Sequence, residues 1–281
     1  MGAALGLLAS LLWGAADYGG GVSTRRTPVV WVILVSQLAA LICLLIACAV
    51  ALLTVGLHIP PHSVAWGAAA GAAGVGALGA FYTALSTGTM GVVAPIASTG
   101  VIVPVVVSII GGERPGSTQV AGMAVAALGI IFATGPEFGV GGATAARRSV
   151  LLAALAGIGF GFVALAIAKG STGSVLGTLT VQRCVSILIA GLYVLTRSRD
   201  RRPAVRELPT LVLVGLGDGG ANAAYAAASR QSLVSVAAVL SSLYPVVTAL
   251  LAARLDRERM RPIQVMGVSL AMAGVLLLAA G

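Results

Sequence analysis

The sequence predicts an all-α integral membrane protein, with about ten transmembrane helices in two inverted five-helix repeats. Three observations carry that prediction. Hydrophobic residues make up 58% of the 281 and charged residues only 9%, against about 25% charged in a soluble domain. The apolar residues fall in runs of roughly twenty, the length that spans ~30 Å of hydrocarbon at 1.5 Å of rise per residue. Finally, the second half of the chain repeats features of the first in the same order.

The expected spans are 2–22, 29–55, 63–86, 90–110, 118–135, 148–168, 174–196, 208–229, 232–253 and 262–280. The first could be mistaken for a signal peptide, but it lacks a basic start, reaches about Val22 and contains Asp17, so it reads as a retained helix. Arg25-Arg26 with Pro28 closes it, and Pro60-Pro61 separates the second span from the third. Gly88 ends the third, and Glu113-Arg114-Pro115 the fourth. A glycine-rich link at 135–147 divides the chain into repeats at 1–140 and 141–281. Arginines between Arg197 and Arg206, and between Arg254 and Pro262, break the second half. Spanning strands would need alternating apolar and polar residues, which these runs lack. Cys43, Cys48 and Cys184 lie inside apolar runs without zinc-type spacing and read as buried free thiols.

The repeat is visible residue by residue. Trp13-Gly14 falls on Phe160-Gly161, and Tyr82, in Ala80-Phe81-Tyr82-Thr83-Ala84, falls on Tyr225, in Ala223-Ala224-Tyr225-Ala226-Ala227. Pro104 matches Pro245, and Gln119-Val120, Gly122 and Gly129 match Gln264-Val265, Gly267 and Gly274. From proline to the following glutamate there are nine residues in the first half (Glu113) and thirteen in the second (Glu258). Five spans are an odd number, so the second repeat enters the membrane in the opposite sense, an architecture used for alternating access.

The net charge of +9 comes from arginines in short loops, which is the orientation signal of a membrane protein rather than a nucleic-acid footprint. Loops after odd-numbered spans carry thirteen Lys and Arg, and the other face carries three, Arg114, Lys169 and Arg230. The positive-inside rule then sets both termini outside the cytoplasm.

Ionisable groups inside apolar spans are the sharpest functional signal, since each costs ~2.5–3.5 kcal/mol at the bilayer centre on insertion scales. They are Asp17, Arg183 and Asp218. Asp17 shares a helical face with Ser10, Gly14 and Gly21. It either lines a cavity, binding an amine or a proton, or sits at the membrane surface near Arg25-Arg26. Asp218, Asn222, Tyr225 and Ser229 follow at spacings of four, three and four, the longest polar stripe in the chain. A polar ligand site and interhelical hydrogen bonding both explain it. Arg183 can pair with Asp17 or Asp218, meet a substrate anion, or snorkel. Pro95, Pro104 and Pro245 either allow bends that a gating helix could use or are simply tolerated kinks. Glycine runs such as Gly157-Ile-Gly-Phe-Gly161 and Gly215-Leu-Gly-Asp-Gly219 lack a following basic residue and read as close helix contacts, not nucleotide loops. His58 and His62 flank Pro60-Pro61 without further ligands, so no metal site is expected. Glu113 and Glu258 read as helix-end caps or partners of neighbouring arginines.

Taken together, Trp13-Gly14, the Tyr82 and Tyr225 repeats, Pro104 and Pro245, and Glu258 followed by Gln264-Val265-Met266-Gly267 resemble the EamA-type members of the drug/metabolite transporter superfamily. The resemblance covers essentially the whole chain. It implies ten helices in inverted repeats, a central cavity, and transport that is often export, driven by ion gradients or exchange. Many relatives hold both termini in the cytoplasm, which the arginine count opposes, and the count is followed here.

The expected function is a secondary transporter, an exporter in the cell membrane, for a small polar or amphipathic metabolite, with an amino-acid-like zwitterion and proton coupling as its sharper forms. A passive facilitator or an exchanger without proton coupling is the rival. Asp17, Asp218, Asn222, Tyr225, Tyr82, Arg183 and Trp13 are the candidate substrate or proton residues, in a pocket lined by spans 1, 3, 4, 6, 8 and 9. The partners expected are the substrate, the bilayer and H+, with no nucleic acid. A monomer is sufficient. No cofactor is expected, and no enzyme constellation of nucleophile, base or paired acids is visible.

Overall fold

The computed structural model describes residues 1–87, 90–134, 143–196, 202–255 and 262–280. Among them the chain is helical with no strand: α1 Gly2–Ser23, α2 Val29–Thr54, α3 Pro61–Thr87, α4 Met90–Ser98, α5 Ile102–Ile110, α6 Ser117–Thr134, α7 Ala143–Ser171, α8 Val175–Thr196, α9 Leu208–Gln231, α10 Val234–Ser241, α11 Tyr244–Leu255 and α12 Pro262–Ala280. Eight of the ten expected spans are single helices. The fourth and ninth are each broken in the middle. Gly88, the glycine-rich link through residue 142, Arg197, Arg199, Arg201 and Glu258 lie outside the described residues.

The two breaks have one cause. A proline at position i withdraws the hydrogen bond to the carbonyl of i−4 and crowds it. For Pro104 that carbonyl belongs to Gly100, and a short 3₁₀ segment, Thr99–Val101, joins α4 to α5 there. For Pro245 it belongs to Ser241, and the chain turns at Ser242-Leu243 between α10 and α11. Pro95 has no such effect, and α4 runs through it. Both breaks therefore lie about one turn before the proline itself.

Helices of one half pack mainly on helices of the other: α1 on α9 and α11, α7 on α3 and α4, α2 on α8 and α9, and α6 on α12. Taken span by span, with α4–α5 and α10–α11 each counted as one, the pairings interchange when the halves are exchanged. At the α6–α12 crossing a Cβ added to Gly129 would meet the backbone of Ala271, and one added to Gly274 would meet the backbone of Ala126, both inside 2.8 Å. Gly129 and Gly274 are 145 residues apart, as are Ala126 and Ala271, so the contact is its own mirror under exchange of the halves. Gln37 and Arg183, each the ninth residue of its helix, touch each other across the α2–α8 contact in the same way.

Small residues make these approaches possible, as expected where lipid removes the usual hydrophobic drive between helices. Gly215 lies against the Ser36 carbonyl, and Gly161 against that of Gly100. The glycine runs thus serve close helix contact. Hydroxyls add interhelical bonds: Ser63 Oγ donates to Gly170 O at 2.8 Å, Ser186 Oγ to Gly71 O at 3.1 Å, and Thr248 Oγ1 to Gly14 O at 3.1 Å. The outer surfaces of α2, α7 and α8 expose leucine and isoleucine, for example Leu53, Ile158 and Leu188. Five helical stretches, Val29–Thr54, Pro61–Thr87, Arg148–Ser171, Val175–Thr196 and Val234–Ala252, are each long and apolar enough to cross a membrane unaided. The cysteines correct the sequence reading: all three are free, but Cys43 and Cys184 are exposed on these outer faces and Cys48 is half-buried. An apolar run says that a thiol is in the membrane, not that protein covers it.

Candidate functional site: a central cavity with an unbalanced charge

A cavity of about 100 Å³ lies where the broken helices cross α1, α3, α7, α8 and α9. Its wall is two-sided. Asp17 and Trp13 from α1, Asp218, Asn222 and Tyr225 from α9, and Ser241, Ser242 and Tyr244 around the second break make one side polar. Leu78 from α3, Ala97 and Val101 around the first break, and Phe160, Val163 and Ala164 from α7 make the other side apolar. Gln182 and Arg183 from α8 stand between them. The sequence reading gave helices 1, 3, 4, 6, 8 and 9 as the wall. The seventh span, α8, belongs to it too.

Arg183 is 2% exposed and snorkels nowhere. Its Nη1 lies 2.8 Å from Asp218 Oδ2 and donates to Gln37 Oε1 at 2.5 Å. Asp218 Oδ1 accepts from Trp13 Nε1 and from Asn222 Nδ2, each at 3.1 Å, and Asn222 Nδ2 also donates to the Asp218 carbonyl at 2.7 Å. One nitrogen of the guanidinium is thus fully used. The other edge, Nε and Nη2, has no partner although it is buried. That edge is the fork that takes a carboxylate through two parallel hydrogen bonds.

Asp17 is on the cavity wall, not at the membrane surface beside Arg25-Arg26. Among the described residues it has no ion pair and no hydrogen bond, while Asp218 and Tyr244 are near enough to feel its charge. Two carboxylates thus face one guanidinium in the cavity, an excess of one negative charge when all three are ionised. Tyr225 Oη, Tyr244 Oη and Gln182 Oε1 are buried without partners as well. Trp13 is stacked at a tilt on Tyr225, with centroids 5.8 Å apart, and edge-on to Tyr244 at 6.5 Å.

A family model of EamA-like transporters matches residues 1–135 and again 147–280. The chain belongs to the EamA-like transporter family. It is a multi-pass membrane protein and a transporter of the drug/metabolite type, with the two-repeat fold of that family. One solved crystal structure superposes on this EamA-like transporter with a TM-score of 0.77, covering 99% of this chain and 98% of its own at 20% identity, which shows the shared fold. No curated protein matches the sequence.

Within this EamA-like transporter the fold gathers Trp13, Asp17, Arg183, Asp218, Asn222 and Tyr225 around one space. Tyr82 is not on the wall. It is buried in the packing between α3 and its neighbours, with its hydroxyl against Gly20 of α1. Pro104 lines the cavity directly; Pro245 follows the wall residue Tyr244. Gln37, Gln182, Tyr244, Ser241 and Ser242 were missed in the sequence. A neutral amide in an apolar run was the available signal for Gln37 and Gln182. Tyr244 could have been found as the aromatic residue beside a helix-breaking proline. Among the described residues His62 Nε2 pairs with Thr172 Oγ1 at 3.3 Å, and no cluster that could hold a metal occurs.

Proposed function

We propose that the protein is a proton-coupled secondary transporter that exports a small amphipathic metabolite with an amino-acid-like zwitterionic head. The observation that carries this reading is the combination of an unpaired carboxylate, Asp17, with the unpartnered Nε/Nη2 edge of Arg183 in one cavity. A substrate ammonium on Asp17 neutralises the excess charge, and its carboxylate takes the free fork of Arg183. The apolar side of the wall, around Phe160 and Ala164, receives the rest of the molecule.

Size supports a metabolite over a large drug. A cavity of about 100 Å³ is small beside the ~300–1,000 Å³ of pockets that take drug-sized ligands. When substrate is absent a proton can occupy Asp17, and a group that holds either a proton or the substrate amine couples their movements in opposite directions. Asp218, held by Arg183, Trp13 and Asn222, is the fixed partner of the guanidinium. The exchange relation between the halves, together with five spans in each, supports inverted repeats that rock around this cavity. Export is the direction the family resemblance implies. The arginine count supports a cell-membrane protein with both termini outside the cytoplasm, and a cavity formed by one chain supports a functional monomer.

The test is proton movement in proteoliposomes that enclose a pH dye, with amino acids, nucleosides, sugars and cationic drugs supplied as separate pools. The expected result is flux evoked by the amino-acid pool and abolished by Asp17→Asn. Labelled-solute exchange without any proton movement would overturn the coupling and leave an exchanger or facilitator. Flux evoked only by sugars or nucleosides would overturn the zwitterion.

A further inference from the structure

Glu113 is absorbed by nothing in the site described above, although it is built in with care. α5 ends in a Schellman motif: Gly112 takes φ +103°, its N–H donates to Ile109 O at 3.1 Å, and Glu113 N–H donates to Ser108 O at 3.0 Å. This turn reverses the chain and aims the Glu113 side chain away from its own helix. The carboxylate then reaches the start of α10, 121 residues further on. Oε1 accepts from Val234 N–H at 2.8 Å, and Oε2 accepts from Ser235 N–H at 3.1 Å and from Ser235 Oγ at 2.8 Å. The sequence reading expected a cap or an arginine partner. Glu113 is a cap, but of a helix in the other repeat.

α5 and α10 are the halves of the two broken spans that run from the cavity toward the arginine-poor face, the one carrying Arg114, Lys169 and Arg230. On this side of the molecule Val236, Val239, Leu240 and Leu243 of α10 and the turn after it pack in an apolar cluster with Ala126 of α6, Val246 of α11 and Ala271 of α12, and Val101 and Val105 of the first broken span pack against it. Passage on this side must part α5 from α10, and parting them breaks the three hydrogen bonds to Glu113. We infer that Glu113 is the gating residue of the transport cycle on the arginine-poor face, a latch that is made when the cavity is closed there and broken when it opens. The inference rests on alternating access but on neither the zwitterion nor the proton.

The test reads which side of the membrane reaches the cavity, without substrate or pH gradient. Cys43, Cys48 and Cys184 are replaced by serine, and Ala164→Cys on α7, which is neither gate helix, places a reporter thiol on the wall. A membrane-impermeant maleimide is applied to one face of oriented vesicles at a time. A helix cap of this kind sustains a shift of roughly tenfold between the two closures. Glu113→Gln is therefore expected to raise labelling from the arginine-poor face by about tenfold and to lower labelling from the opposite face. Ser235→Ala, which removes one of the three bonds, is expected to move both rates the same way by about threefold. It decides the matter by the same criterion if Glu113→Gln does not accumulate. Rates that stay unchanged, or that rise together from both faces, would overturn the latch and leave Glu113 a structural cap. Reciprocal labelling with no proton flux from any pool would instead keep the gate and overturn only the coupling proposed above.

Discussion

Arg183 spends one nitrogen on Asp218 and Gln37 and leaves the other edge bare, and that division explains two different costs. Breaking a buried pair strands a charge, whereas removing both partners does not. Arg183→Leu and Asp218→Leu are each expected to cost roughly 3–5 kcal/mol of stability. The double variant should cost clearly less than the sum, as read from thermal unfolding in detergent; strict additivity would mean that the pair is not coupled. Asp17, with no partner among the described residues, is expected to lose transport without loss of stability when changed to asparagine. Outside the membrane, Glu207 shows the effect of a made contact. Its carboxyl is held below the usual carboxylate range, first by the Thr27 hydroxyl at 2.8 Å and then by the Ala204 N–H. A depressed acid contributes stability above its unfolded pKa and loses it as pH falls through the folded one. The stability gap between the wild type and Glu207→Gln should therefore close as the pH is lowered below the usual carboxylate range.

At the scale of elements, span positions were legible because lipid allows few alternatives, and prolines and arginines mark the ends. The first helix, expected at 2–22, is Gly2–Ser23, and the last, expected at 262–280, is Pro262–Ala280. The internal breaks were legible only in part. Pro104 and Pro245 announced a bend, but its place depends on which carbonyl loses its donor, one turn earlier. Glycines at the crossings are a further element-scale constraint. A Cβ on Gly129 would clash with the backbone nitrogen of Ala271, and α6 must move away to admit it. Gly129→Ala is expected to destabilise by ~1–3 kcal/mol, and its repeat mate Gly274→Ala, facing Ala126 N at 2.5 Å, by a similar amount. Chemical or thermal unfolding of the two variants checks both values, and a difference of several kcal/mol between them would contradict the exchange relation.

For the whole molecule, the main contacts of each repeat are with the other repeat, since α1 rests on α9 and α7 on α3. Residues 1–140 and 141–281 produced as separate chains are therefore expected to accumulate only when made together, and to co-purify. Stable accumulation of either half alone would show that a repeat buries enough within itself. Composition and the duplicated motifs by themselves determined that the chain is a membrane protein of two five-span halves, because hydrocarbon thickness fixes span length and an internal repeat survives in the order of its landmarks. They also pointed to Asp17, Arg183 and Asp218, since a charge in lipid is too costly to be idle. Only the tertiary structure decided that Arg183 chooses Asp218 and leaves Asp17 unpaired, that Tyr225 faces the cavity while its mate Tyr82 does not, and that Glu113 caps a helix 121 residues away. Each of those is a choice among partners of like chemistry. Spacing along one helix says which face a residue occupies, but which neighbour meets that face is settled by how the helices cross.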